Sequence, residues 1–289
     1  NFWRVFEKLL VPINSFIVLS AISVFQFGVY KLILAFHGVV TSFLVNGIDQ
    51  VVLNDIIRFK HENKSNQARR LFLEWGGFRL SMGVAAFIVI FFGARTVARW
   101  YDQDIASLVR IISFLPLIYS FITVFSVLFR VFLKFGYTSV QSVVVEGSRL
   151  ILLGFFWYFY RLELSEVLLA YIISFLVPVV LFFLPALKTL AYFPQGTDKA
   201  RSGILWSISK GYGKWAIFKN YLKDFTNQIR PWFIKFFINT EAVALFSLAV
   251  NLTSFIQGVF PLSVFPSLIP RELDNSGRRR HLFARGMKY

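Results

Sequence analysis

The stretch LSEVLLAYIISFLVPVVLFFLPAL, from Leu164 to Leu187, runs for 24 residues with Glu166 as its only charge. The hydrocarbon layer of a bilayer is roughly 30 Å thick and a helix rises about 1.5 Å per residue, so about 20 apolar residues cross it. This stretch reads as a membrane span. It is continuous rather than alternating, which selects a helix over a barrel strand, because lipid offers no partner for an unpaired backbone amide. Seven more runs share the pattern: Phe6 to Val24, Val29 to Ile48, Leu80 to Ala98, Ile105 to Phe129, Thr138 to Tyr160, Trp215 to Ile238 and Ala242 to Ile269. The expected fold is an all-α polytopic membrane helix bundle with eight spans.

Composition excludes the soluble classes. Hydrophobic residues make up 56% and aromatics 19% of the chain, with a mean hydropathy of +0.62, more than a water-soluble domain uses. No cysteine is present, so disulfides, thiolate metal sites and thiol nucleophiles are excluded. The net charge of +16 does not indicate nucleic acid, since the basic residues are spread over short loops with no hydrophilic domain to hold a duplex. They gather instead on alternate connections, as in Arg58, Lys60, Lys64, Arg69, Arg70 and Arg79, then Arg130 and Lys134, and finally Arg278, Arg279 and Arg280. Lys31, Arg95, Arg99, Arg110 and Arg161 fall to the other side. Loops rich in Lys and Arg resist translocation, which places both ends of the chain in the cytoplasm.

The seventh run carries charge where lipid disfavours it. At about 100° per residue, Lys219, Asn220, Lys223, Asp224, Asn227, Gln228, Arg230 and Lys235 share one half of the helix. Phe218, Tyr221, Leu222, Phe225, Ile229, Trp232, Phe233 and Phe236 fill the other. A central charge costs roughly 3 kcal/mol on insertion scales, so the polar half is expected to face water or protein. An interfacial helix lying on the membrane satisfies the same projection. However, it would send the next run outward and leave Arg278 to Arg280 outside the cell, so a spanning helix lining a hydrophilic cavity is preferred. In the fifth run Gln141, Ser142, Glu146, Ser148 and Arg149 form a second polar arc. Glu146 and Arg149, three residues apart, can pair there, either to line the cavity or to join neighbouring helices.

Weaker stripes come from Asn14 and Ser15, from Thr41, Ser42 and Asn46, and from Asn251, Ser254 and Gln257. His37, a lone intramembrane histidine, reads as a packing residue. No Walker loop, zinc-helix pattern or Gly-x-Ser-x-Gly elbow occurs, so neither an enzyme nor direct ATP-driven transport is expected, and no cofactor or metal is assigned. A polar break with turn residues divides the chain into 1–190, a six-helix lobe; 191–214, a cytoplasmic connector; and 215–289, two further helices with a basic cytoplasmic tail.

Several short signatures then converge. They are Phe27-Gly28-Val29-Tyr30 between the first two runs, Gly47-Ile48-Asp49-Gln50 at the end of the second with Gln67 to Arg70 beyond it, Pro116-Leu117 and Phe129-Arg130 in the fourth, and Gly213-Lys214-Trp215 before the seventh. Arg230-Pro231-Trp232, the Thr240 to Ser247 junction, Pro261-Leu262 and Pro270 follow. Together they resemble the polysaccharide flippases of the multidrug, oligosaccharidyl-lipid and polysaccharide exporter superfamily, which includes bacterial O-antigen transporters. The resemblance implies two six-helix lobes around a cavity, so this chain reads as an incomplete one, an N-terminal lobe plus two helices. It further implies passage of an undecaprenyl-pyrophosphate-linked oligosaccharide across the bacterial inner membrane by alternating access, with membrane lipids and polysaccharide assembly proteins as partners and a coupling ion of unspecified identity. Lys219, Lys223 and Arg230 would attract the pyrophosphate, while Asn220, Asn227 and Gln228 would hydrogen-bond sugar hydroxyls. Asp224 would hold a basic neighbour or respond to the coupling ion, with Glu146 and Arg149 as further cavity candidates. A drug or cation antiporter of the same superfamily and a non-transporting scaffold subunit are the alternatives.

Overall fold

The computed structural model describes residues 2–44, 48–101, 104–160, 162–193 and 203–259. Eleven α-helices are described: α1 (Phe2–Ala21), α2 (Val24–Leu44), α3 (Asp49–His61), α4 (Ser65–Tyr101), α5 (Ala106–Ile112), α6 (Leu115–Val131), α7 (Phe135–Phe159), α8 (Leu164–Ala191), α9 (Ile204–Ile208), α10 (Lys214–Phe237) and α11 (Thr240–Val259). A π turn, Ser209–Gly213, joins α9 to α10. The molecule is a multi-pass membrane helix bundle. Among the described residues, five segments are long and apolar enough to cross a bilayer: Val24–Ser42, Ser65–Trp100, Ala106–Val131, Phe135–Phe159 and Leu164–Ala191. Leu9–Ala21 and Thr240–Ile256 are shorter apolar helices. The charged α10 belongs to neither group, and the expected eighth run lies partly outside the described residues.

Side-chain and backbone chemistry at the turns explains where the helices stop. Between α1 and α2 the Ser23 hydroxyl accepts the Gln26 amide at 3.1 Å while the Gln26 side chain accepts the Ser23 amide at 3.1 Å, a reciprocal cap that lets two helices meet across two residues. The Phe27 to Tyr30 signature consequently lies inside α2 rather than between spans. Gly28 there meets the start of α11 so closely that a Cβ would collide with the Thr240 carbonyl oxygen, the kind of backbone approach small residues permit in membranes. α3 and α6 end in the same motif. The Lys64 amide donates to Phe59 and the Asn63 amide to Lys60, at 2.8 and 3.3 Å; the Lys134 amide donates to Phe129 and the Leu133 amide to Arg130, at 2.8 and 3.0 Å.

Two expected boundaries move. The region from Asp49 to Arg79, read as a connection between spans, folds into α3 and the first four turns of α4. Ala68, Leu71, Phe72, Trp75 and Arg79 recur on one buried stripe, while Arg69 and Arg70 stay exposed and depress the local hydropathy. The fourth run is broken at Ser113 and Phe114, where the Ser113 amide and hydroxyl both donate to the Arg110 carbonyl, at 3.2 and 2.6 Å. Pro116 follows in the first turn of α6, a position where its missing N–H costs nothing.

Packing forms two apolar cores at opposite ends of the bundle. One gathers Phe27, Leu32 and Ile33 of α2 with Ile90 and Ala94 of α4, Val109 of α5, Leu153 of α7, Leu168 of α8 and Val243 of α11. The other gathers Val52 and Ile56 of α3 with Leu71 and Trp75 of α4, Phe129 of α6, Phe182 of α8, and Ile204 and Ile208 after the connector. α4 and α8 run through both cores. Between them, at mid-height, the side chains turn polar.

Candidate functional site

Three adjoining compartments, of about 530, 400 and 230 Å³, meet in that middle layer, the first extending to Arg130 and Thr138 beside the α6–α7 turn and the third to Val18 and Tyr30 of the first core. The first two share Asp49, Gln50 and Tyr119, and the first and third share Glu146. Hydroxyls and amides dominate their polar lining: Thr123, Ser126, Thr138, Ser139, Gln141 and Ser142 in the first, Thr41, Ser42, Asn220 and Gln228 in the second. Tyr119 and Phe175, 6.3 Å apart and edge-on, add an aromatic wall.

The charges at this level are largely matched within the protein. Asp49 at the start of α3 lies 3.1 Å from the Arg79 guanidinium and accepts the Trp75 indole N–H at 3.0 Å. Arg79, only 2% exposed, also donates to Thr123 at 3.4 Å. On α7 the Glu146 carboxylate pairs with Arg149 at 2.9 Å and accepts the Asn14 amide at 2.9 Å. Arg149 further stacks over Tyr171 at 4.2 Å and donates to Ser174 at 3.4 Å. Glu7 accepts the Ser142 hydroxyl at 2.8 Å. Lys31 rests on the faces of Phe27 and Tyr30, at 5.0 and 5.2 Å.

The nine expected site residues divide. Asn220, Asp224 and Gln228, one turn apart along α10, line the second compartment. Glu146 lines the first and third, and Arg149 lines the third. Lys219, Lys223, Asn227 and Arg230 lie on the exposed flank of α10, outside these compartments. The division follows from packing. Trp232 meets Phe36 at 6.3 Å, and Gly38 presses so closely on Gln228 that a Cβ there would overlap the Gln228 side chain. α2 therefore holds one edge of the polar half inward and leaves the other outward. Of the weaker stripes, Asn14 and Ser15 are engaged by Glu146 and Asn251, Thr41 and Ser42 face the second compartment, and Asn46 lies outside the described residues. His37 lines none of the three.

Sequence reasoning does not single out Asp49, Arg79 and Lys31 as site residues, because Arg79 and Lys31 count there as loop charges and Asp49 enters only through the Gly47 to Gln50 signature. The available signal was the four-turn apolar stripe ending at Arg79, which places that guanidinium on the buried face of a helix. An arrangement of paired charges, many neutral donors and acceptors and an aromatic wall is suited to binding a hydroxyl-rich ligand.

Residues 4–272 match a family model described as polysaccharide biosynthesis protein. A search of curated proteins gives no match. Among solved structures, the inward-facing conformation of a multidrug resistance MATE family transporter of the MOP superfamily has the same fold, with a TM-score of 0.55 and 17% identity. The likeness covers 89% of this chain and 58% of that transporter.

Proposed function

The chain belongs to the polysaccharide biosynthesis protein family, and we propose that it forms part of a transporter moving a lipid-linked oligosaccharide between the leaflets of a bacterial inner membrane. The observation that carries this reading is the middle layer itself, where hydroxyls and amides outnumber charges and the buried acids already have partners. A sugar chain presents alternating donors, acceptors and C–H faces, which such a lining matches. In this reading Asn220 and Gln228 hydrogen-bond sugar hydroxyls together with Thr41 and Ser42. Lys219, Lys223 and Arg230 on the outward flank of α10 attract the pyrophosphate, and Asp224 answers to a basic neighbour or a coupling ion. A drug or cation antiporter calls for unmatched acids, whereas Asp49 and Glu146 are each paired with an arginine.

The test uses the full-length protein in proteoliposomes with a fluorescent lipid-linked oligosaccharide, read by loss of signal to a membrane-impermeant quencher. Replacing Asn220 and Gln228 together by Leu should slow transfer at least about tenfold, the equivalent of two lost hydrogen bonds. Wild-type vesicles that show no transfer would reject the flippase in favour of a scaffold.

A further inference from the structure

We propose that the outer surface of the bundle carries a built site for one acidic phospholipid, at the turn between α6 and α7. A groove of about 510 Å³ is lined there by Leu133, Lys134, Phe135, Gly136, Tyr137, Val140 and Phe182. At about 100° per residue, Gly136, Tyr137 and Val140 centre about 130° or more from Ser142 and Glu146, with Gln141 between the two arcs. Leu133, Phe135 and Tyr137 are exposed, so this groove opens outward towards lipid.

Two features of the turn are costly for folding alone. Leu133 adopts a left-handed conformation, φ 56°, at the helix-ending position where glycine is the usual residue, and its side chain is 71% exposed. Gly136 stands in the first turn of α7, where alanine would favour the helix, yet a Cβ there would meet nothing within 4 Å. Omitting a side chain at a position with free space around it preserves an opening. The floor of that opening is rigid: Phe129 stacks on Tyr137 at 4.8 Å, and Phe182 meets both edge-on at 6.2 and 5.9 Å.

Charge identifies the occupant. The Lys134 ammonium donates to the Thr189 hydroxyl of α8 at 3.0 Å, which fixes it at the mouth of the groove. Among the described residues no carboxylate reaches it. Two of its three donors remain for an anion at the membrane boundary, on the side where basic connections gather. An acyl chain along the aromatic floor, with its phosphate at Lys134, satisfies both parts. A zwitterionic lipid would bring its own cation to the same place.

The experiment measures lipid retention by native mass spectrometry of the detergent-purified full-length protein, with matched-chain phosphatidylglycerol and phosphatidylcholine in competition. Wild type is expected to retain phosphatidylglycerol about fivefold better, the contribution of one lysine near a surface. Lys134→Gln should abolish that preference. Gly136→Leu should lose both lipids while unfolding at an equal or higher temperature when delipidated, which separates a filled groove from a damaged fold. Equal retention of the two lipids by wild type, or undiminished retention by Gly136→Leu, would overturn the proposal. So would displacement of phosphatidylglycerol by an equal concentration of polyprenyl phosphate, which would assign the groove to the transported lipid instead.

Discussion

At Arg79 a guanidinium is 2% exposed in a membrane protein, a state tolerated only because Asp49, Thr123 and the neighbouring Trp75 surround it with a carboxylate, a hydroxyl and an indole that holds the carboxylate in place. The pair is asymmetric. Both line the first compartment, but Asp49 is 26% exposed and Arg79 only 2%. Removing the acid should therefore hurt more than removing both partners. Asp49→Asn is expected to cost about 3 kcal/mol in a denaturant titration of the purified protein, because it strands a buried cation. The double variant Asp49→Asn with Arg79→Met should lose markedly less, and a fully additive double would show that the two residues act independently. Glu146 and Arg149 obey the same physics, with the difference that both sit on α7 and reach other helices through Asn14 of α1 and Tyr171 of α8.

Among the elements, α10 shows how far a helical projection reaches. The spacing of its polar residues was legible, and so was their confinement to half the circumference. The edge turned inward was not, because it is chosen by Gly38 and Phe36 of α2, residues some 190 positions away in sequence with no polar signature of their own. The same limit explains α3. Its four buried residues, Val52, Leu53, Asp55 and Ile56, make too short a stripe to register as a span, and the apolar run that continues them starts in another helix. The long runs behind α7 and α8 were read almost to their ends, since lipid imposes length and hydropathy directly on sequence. Gly38→Leu tests the crossing. Forcing a branched side chain against Gln228 should destabilise the protein by about 1–3 kcal/mol and widen the second compartment, whereas a substitution at Gly77, with nothing within 4 Å of its Cβ position, should be tolerated.

Across the whole molecule, the two apolar cores give the bundle distinct ends. The turns at Asn63 and Leu133 lie at the end built from α3, the first turns of α4 and the last turns of α8; Glu163 lies at the other. Because the chain has no cysteine, single substitutions report sidedness without background. Cysteines at 63 and 133 should react with an impermeant maleimide only in inside-out vesicles, and one at 163 only in right-side-out vesicles. The reverse pattern would invert the orientation that the basic loops imply. A last consequence comes from α4. Its 37 residues make a rod about 55 Å long, well beyond the hydrocarbon thickness, and Glu74 on the overhang accepts the backbone amides of Gly203 and Leu205 at 3.0 and 3.2 Å. Any tilt of that rod against its neighbours sweeps the overhang sideways and drags the segment leading into α10 along with it. The helix that carries Arg79 to the first compartment and the strap feeding the helix that lines the second are thus parts of a single lever.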